Sequence, residues 1–90
     1  RPVLGVFFDS TFTGTGAKIG RLSPNEGAEK AGIPAGSVIT AIDGVKIADQ
    51  VGAIVKIRSY APGSTVTVTV ELPTGGSKSF KVTLGTAPSN

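Results

Sequence analysis

The 90-residue chain contains no cysteine, histidine, methionine or tryptophan. Without cysteine it has no disulfide framework, no thiol nucleophile and no thiolate metal site. Without histidine it lacks the usual general base near neutral pH, so neither a Ser-His-Asp nor a Cys-His arrangement can be built from it. We therefore expect that this stretch of chain is not itself an enzyme.

The chain also has only a small excess of positive charge: it contains nine basic and six acidic residues, and its formal net charge is +3. The basic residues are dispersed, which favours a solvated cationic surface over a nucleic-acid-binding patch. No apolar run approaches the roughly 18–20 residues of a membrane span, and no signal peptide is recognisable. We expect no nucleic-acid partner and no membrane insertion. The abrupt start at Arg1 and the polar end at 86–90 predict a domain excised from a longer protein.

Glycine and proline, in contrast, are abundant, with 13 and 6 residues respectively, and this excludes a helical bundle or a coiled coil. The length predicts one domain. Short apolar or alternating runs predict strands, and two segments with helical signals predict helices. The fold class expected is α+β, mostly β: a partly open antiparallel barrel of five or six short strands with two helices. The strands are expected at 3–8, 17–22, 38–42, 45–47, 65–72 and 80–84, with helices at 28–31 and 50–58.

Local signals support several of these boundaries. Gly32 is placed for a left-handed helix C-cap, Asp43-Gly44 suits a tight turn, and Asp49 is a good helix N-cap. Pro62-Gly63 is expected to stop the second helix.

Three aspartates and one glycine-rich segment could suggest a metal or phosphate site. Asp43 and Asp49 are better explained by their turn and cap, and with Asp9 they do not make a convincing calcium site. Gly14–Gly16 is not followed by a crossover helix with a phosphate loop. We expect no metal and no cofactor.

Four segments carry a resemblance to a known family. The segment 28–39 resembles the pattern A-x-x-A-G-Φ-x-x-G-D-x-I, where Φ is apolar, and 41–47 continues it like I-(D/N)-G-x-x-I. Pro62-Gly63-Ser64 precedes an alternating strand, and Val3–Val6 is similar to an apolar–apolar–Gly–apolar carboxylate-binding loop. In this order and spacing the segments resemble a bacterial PDZ domain over about residues 1–85, with a polar tail at 86–90.

The order of elements adds to the resemblance, because the binding strand comes first and the hairpin last, as in the circularly permuted PDZ domains of HtrA-type serine proteases. Two positions depart from the pattern. Ser37 stands where an acidic residue is usual, which is expected to affect only a local turn. Val3 stands where HtrA-type proteases often have an aromatic residue, which bears on ligand preference.

The resemblance implies a peptide-binding groove. The amides of Leu4, Gly5 and Val6, aided by Arg1, would bind a terminal carboxylate. The residues expected to line the groove are Val3, Phe7, Phe8, Gln50, Ile54, Ile57 and Arg58.

Alternatives remain open at several of these positions. Gly5 could be a bulge in an edge strand, and Ile54 could belong to the core. Ile57 could belong to either side of its helix, while Arg1 and Arg58 could be solvated surface charges.

The function implied is capture of C-terminal peptides, or of unfolded segments with apolar ends, by strand addition. The resemblance further implies a protease domain in the same chain, for which this domain would recruit substrate or regulate activity. The process implied is protein quality control, and the location implied is the cell envelope, outside the cytoplasmic membrane. Alternatives are a tail-specific or intramembrane protease as the parent, or a domain that organises the protease oligomer.

Overall fold

The computed structural model describes residues 1–87. Within those residues the chain forms eight strands and two helices. In chain order they are β1 (Pro2–Val3), β2 (Val6–Phe8), β3 (Ala17–Leu22), α1 (Gly27–Ala31), β4 (Val38–Ile42), β5 (Val45–Lys46), α2 (Gln50–Arg58), β6 (Thr65–Glu71), β7 (Ser77–Thr83) and β8 (Gly85–Thr86).

The main sheet has the order β2-β3-β4-β6-β7, with β5 paired to β4, and every pairing is antiparallel. The strands β1 and β8 form a separate antiparallel pair. The expected fold class, mostly β with two helices, is confirmed. The hairpin β6–β7 lies near the end of the described chain, and β2 lies near its start at one edge of the sheet.

The core lies between the sheet and the helices, and its aliphatic residues follow the predicted alternation. Val66, Val68 and Val70 of β6 are buried, while the residues between them are only half-buried. Phe80 and Val82 of β7 continue the pattern. Since successive residues of a strand point to opposite faces, the alternation assigns one face of this hairpin to the core.

The predicted strand at 3–8 is interrupted in the structure. Gly5 has φ +85°, a left-handed backbone that an extended strand cannot contain. The two halves take different partners, because β1 pairs with β8 and β2 pairs with β3. The interruption leaves Leu4 and Gly5 as a short connecting loop.

The second helix, α2, has the bounds predicted for it, Gln50–Arg58. The Asp49 carboxylate accepts a hydrogen bond of 2.8 Å from the amide of Gly52, so it caps the helix. The helix ends at Arg58, with Ser59 as its cap, ahead of the expected stop at Pro62-Gly63. No helix within residues 1–87 is long and apolar enough to cross a membrane.

Ser37 lies in a turn, where its amide donates to the carbonyl of Pro34 at 3.2 Å and its carbonyl accepts from Ile19 at 2.8 Å. Its side chain is fully buried, and its Oγ has no hydrogen-bond partner among the described residues. The departure from the family pattern therefore alters a buried turn.

The predicted tail begins inside an ordered pairing. Thr86 pairs with Pro2, and the amide of Ala87 donates to the carbonyl of Arg1 at 2.9 Å. The rest of the predicted tail, 88–90, lies outside the described residues. The two ends of the described chain therefore lie side by side.

The end of α2 is linked to the sheet through the carboxylate of Asp43. That carboxylate accepts hydrogen bonds from the Tyr60 hydroxyl, at 2.5 Å, and from the Thr67 amide, at 2.7 Å. The hydroxyl and the amide lower the pKa of Asp43 below 3.8, and the same hydroxyl–carboxylate bond raises the pKa of Tyr60 to about 12.

We expect Tyr60→Phe to lower the free energy of unfolding by about 1 kcal/mol, the typical net value of a hydrogen bond. Because the pKa of Asp43 is lower in the folded state, its contribution is present above pH 3.8 and is lost as pH falls through the folded value. Because the pKa of Tyr60 is raised, its contribution is present below pH 10 and is lost as pH rises towards about 12. Urea unfolding at acidic, neutral and alkaline pH measures both the acidic and the alkaline loss of stability.

The control for this prediction is Asp43→Asn, which keeps a side chain suited to the turn and removes the ionisable group. In this variant the free energy of unfolding should fall less steeply with decreasing pH, and Tyr60→Phe should show part of the same effect. An unchanged pH profile in both variants would contradict a stabilising role for the Tyr60–Asp43 contact.

Candidate functional site

A groove of about 610 Å³ runs between the start of the chain and α2. It brings together all but one of the residues expected at the site. Those residues are Arg1, Val3, Leu4, Gly5, Val6, Phe7, Phe8, Ile54, Ile57 and Arg58. Sequence reasoning missed seven further lining residues: Pro2, Ser23, Pro24, Glu26, Ala53, Thr86 and Ala87.

Gln50 is the expected groove residue that is not part of this lining. It occupies the first turn of α2, whereas the helical residues of the groove begin at Ala53. A helix rises about 5.4 Å per turn, so residues one turn apart on the same side reach different places along a groove. A role for Gln50 beside a bound peptide therefore stays a prediction.

The loop at Leu4 and Gly5 is held by its carbonyl groups. The Leu4 carbonyl accepts from the Ala28 amide at 3.0 Å, and the Gly5 carbonyl accepts from the Ser23 amide at 2.9 Å. In a trans peptide the next amide N–H points opposite to the carbonyl. The Gly5 N–H therefore points away from Ala28 in α1, and the Val6 N–H points away from Ser23 after β3.

These two amides lie at the unpaired edge of β2, within the groove. Successive backbone N–H groups directed into one concavity favour the binding of an anion. The Gly5 and Val6 amides therefore have an orientation suited to an anion. The assignment of Leu4, Gly5 and Val6 as carboxylate donors stays a prediction.

Two physical constraints require glycine at position 5. Its φ of +85° is rare for residues with a side chain. In addition, a Cβ placed there would lie 2.2 Å from the Cβ of Glu26. Glu26 thus packs directly against the loop, a contact between distant parts of the chain that no local sequence signal indicates.

The side walls of the groove are apolar. Leu4 is buried at its base, 5% exposed, and Val6 is half-buried. On α2, Ala53 and Ile57 are buried in the core, whereas Ile54 is 36% exposed. The alternative that Ile54 is a core residue therefore does not hold, and Ile57 serves both the core and the groove.

The outer edge of the groove is β2 itself. In the sheet described, β2 pairs with β3 along one side only. An unpaired strand edge presents N–H and C=O groups to an added strand. An extended peptide can therefore pair with β2 while every second side chain faces α2.

Arg1 and Arg58 both line this groove. Arg1 is held next to Ala87 by a backbone hydrogen bond of 2.9 Å, and Arg58 is the last residue of α2. Both are exposed. Two cations beside inward-facing amides favour an anionic ligand group.

Comparisons with known proteins are consistent with this arrangement. The family model described as "PDZ domain" matches residues 2–84. The chain is 39% identical over 84 residues to the serine protease PepD of Mycobacterium tuberculosis (strain ATCC 25618 / H37Rv). That alignment covers 93% of this chain and 18% of PepD, so the chain spans less than a fifth of that relative.

Two solved structures share the fold. The HtrA-type protease AlgW with decapeptide has a TM-score of 0.86 at 19% identity, over 100% of this chain and 30% of that one. A PDZ domain protein from Parabacteroides distasonis ATCC 8503 has a TM-score of 0.67 at 28% identity, over 93% of this chain and 20% of that one.

Proposed function

Since the chain belongs to the PDZ domain family, we propose that it captures the free C-terminus of a peptide in the groove between β2 and α2. The observation that carries the proposal is the orientation of the Gly5 and Val6 amides, whose carbonyl neighbours are held by Ala28 and Ser23. A carboxylate loses water on binding, and these amides replace part of its hydration.

The rest of the peptide adds to β2 as an antiparallel strand. Main-chain hydrogen bonds supply affinity with little sequence preference, and pockets for side chains supply the preference. The last side chain of the ligand enters the apolar space between Leu4, Val6 and Ile54. An apolar last residue such as Val, Leu, Ile or Phe suits this space.

The proposed parent is an HtrA-type serine protease in which this domain recruits substrate or regulates activity. Two findings support it: PepD, a relative at 39% identity, is a serine protease, and AlgW, which shares the fold, is an HtrA-type protease whose structure contains a decapeptide. In such a parent the domain would act beside the protease domain of the same chain. Its place would be outside the cytoplasmic membrane, in the cell envelope, in protein quality control.

Binding of a C-terminal peptide library to the isolated domain tests the proposal. We expect peptides with an apolar last residue to bind, and amidation of the same peptides to reduce affinity at least about tenfold. That loss corresponds to charge-assisted hydrogen bonds of about 1.5–3 kcal/mol. Isothermal titration of each free and amidated pair gives the ratio.

Equal binding of free and amidated peptides would contradict carboxylate recognition and would assign the groove to internal extended segments. Absence of binding at high peptide concentration would contradict peptide capture by this domain and would favour the assembly role.

A further inference from the structure

Phe7 and Arg21 form an exposed pair on the outer face of the sheet, beside the groove. They are directly opposite each other in the register of β2 and β3. The Arg21 guanidinium lies 4.2 Å from the centroid of the Phe7 ring. Phe7 is 49% exposed, whereas its neighbours Val6 and Phe8 are half-buried.

The position of a bound peptide relative to this pair follows from the proposed function. With the terminal carboxylate at the Gly5 and Val6 amides, the last ligand residue lies beside Val6. Because the added strand is antiparallel to β2, the penultimate residue lies beside Phe7. Residues opposite each other in adjacent strands point to the same face, so the penultimate side chain points outward, towards Phe7 and Arg21.

The pair offers a positive charge on an apolar support. A guanidinium stacked on an aromatic ring keeps its N–H donors available at the ring edge. A carboxylate on the ligand is the group that such a cation would bind most strongly.

We propose that the Phe7–Arg21 pair selects an acidic side chain at the penultimate position of the captured peptide. This inference rests on the proposed function and deepens it. A glutamate there packs its methylene groups on the Phe7 ring and accepts hydrogen bonds from the Arg21 guanidinium. A lysine there meets a like charge, which disfavours binding.

The test uses three peptides that share an apolar last residue and differ only in a penultimate Glu, Gln or Lys. With the unaltered domain at low salt, the Glu peptide is expected to bind about threefold more tightly than the Gln peptide, as for an exposed ion pair. The Lys peptide is expected to bind more weakly than the Gln peptide. The Glu preference should shrink as salt is raised, because exposed charges are screened.

In Arg21→Gln, the preference for Glu over Gln is expected to disappear. Lys81→Gln is the matched control, because it removes one positive charge from β7, at the far edge of the sheet, and should keep the preference. Equal affinity of the Glu and Gln peptides for the unaltered domain would overturn the inference. Survival of the preference in Arg21→Gln, or its loss in Lys81→Gln, would overturn it equally.

Amidated copies of the Gln peptide separate this inference from its premise. If the free peptide binds and the amidated one does not, carboxylate capture stands, and the Glu–Gln comparison alone decides the role of Arg21. If no free peptide binds, both the proposed function and the inference are overturned.

Discussion

Replacing Gly5 with alanine is expected to weaken peptide binding sharply and to lower the free energy of unfolding. The left-handed conformation costs a residue with a side chain about 1–2 kcal/mol. The added Cβ would also lie 2.2 Å from the Cβ of Glu26, so the loop must move, and overpacking of this kind costs about 1–3 kcal/mol more. Since the proposed function assigns carboxylate binding to the amides of this loop, we expect affinity to fall by about tenfold or more.

Gly76→Ala is the matched control for this variant. Gly76 has the same φ of +85°, but no atom lies within 4 Å of a Cβ placed there. It should lose the conformational part of the stability and keep peptide affinity. Urea unfolding and peptide titration of both variants separate the backbone cost from the steric one.

A second variant tests the steric part directly. Glu26→Gly removes the Cβ that the new side chain would meet, and glycine is acceptable at a helix N-cap. In Gly5→Ala combined with Glu26→Gly, part of the lost stability should return. Peptide affinity of Gly5→Ala equal to that of the unaltered domain would contradict the assignment of the loop as the carboxylate site.

Replacing Ile54 with glutamate is expected to reduce peptide affinity by about tenfold or more while the domain stays folded. The substitution removes an apolar wall, and apolar burial of one such side chain contributes about 1.5–3 kcal/mol. The new carboxylate also lies one helical turn before Arg58, where an i, i+4 pair would neutralise that cation. Since Ile54 is 36% exposed, stability should change by about 0.5 kcal/mol or less.

Two neighbours on α2 serve as controls for this prediction. Val55→Glu alters a residue that is 63% exposed and lies outside the groove lining, so both affinity and stability should be retained. Ile57→Glu places a charge at a residue only 6% exposed and should unfold the domain. Unfolding of Ile54→Glu, or full affinity in that variant, would contradict the assignment of Ile54 to the groove wall.

Much of the local structure could be predicted because its causes lie within a few residues. Gly32 ends α1 with φ +88°, Asp49 caps α2, and Asp43-Gly44 forms a turn with positive φ at both residues. Each depends on the conformational preference or side-chain reach of the residue itself.

Most of the expected groove residues could be named for a different reason, which is the order and spacing of the family motifs. Helical spacing by itself does not say how far the groove extends along α2. Gln50 and Ile54 share one side of α2 by helical spacing, yet the groove is lined by Ile54 and not by Gln50. The spacing defines a side of the helix, and only the packed position of β2 decides how far the groove extends along it.

The sequence by itself determined most of the elements, their caps and turns, and the buried face of β6, because these follow from local propensity and side-chain alternation. The break at Gly5 and the pairing of β1 with β8 depend on partners far along the chain. Only the tertiary structure decided the orientation of the loop amides at the candidate site. The carbonyl of Leu4 is held by Ala28 and that of Gly5 by Ser23, and Glu26 closes on Gly5 from a different element. These contacts join residues some 20 positions apart, so the direction of the carboxylate-binding amides depends on packing between elements that no short segment specifies.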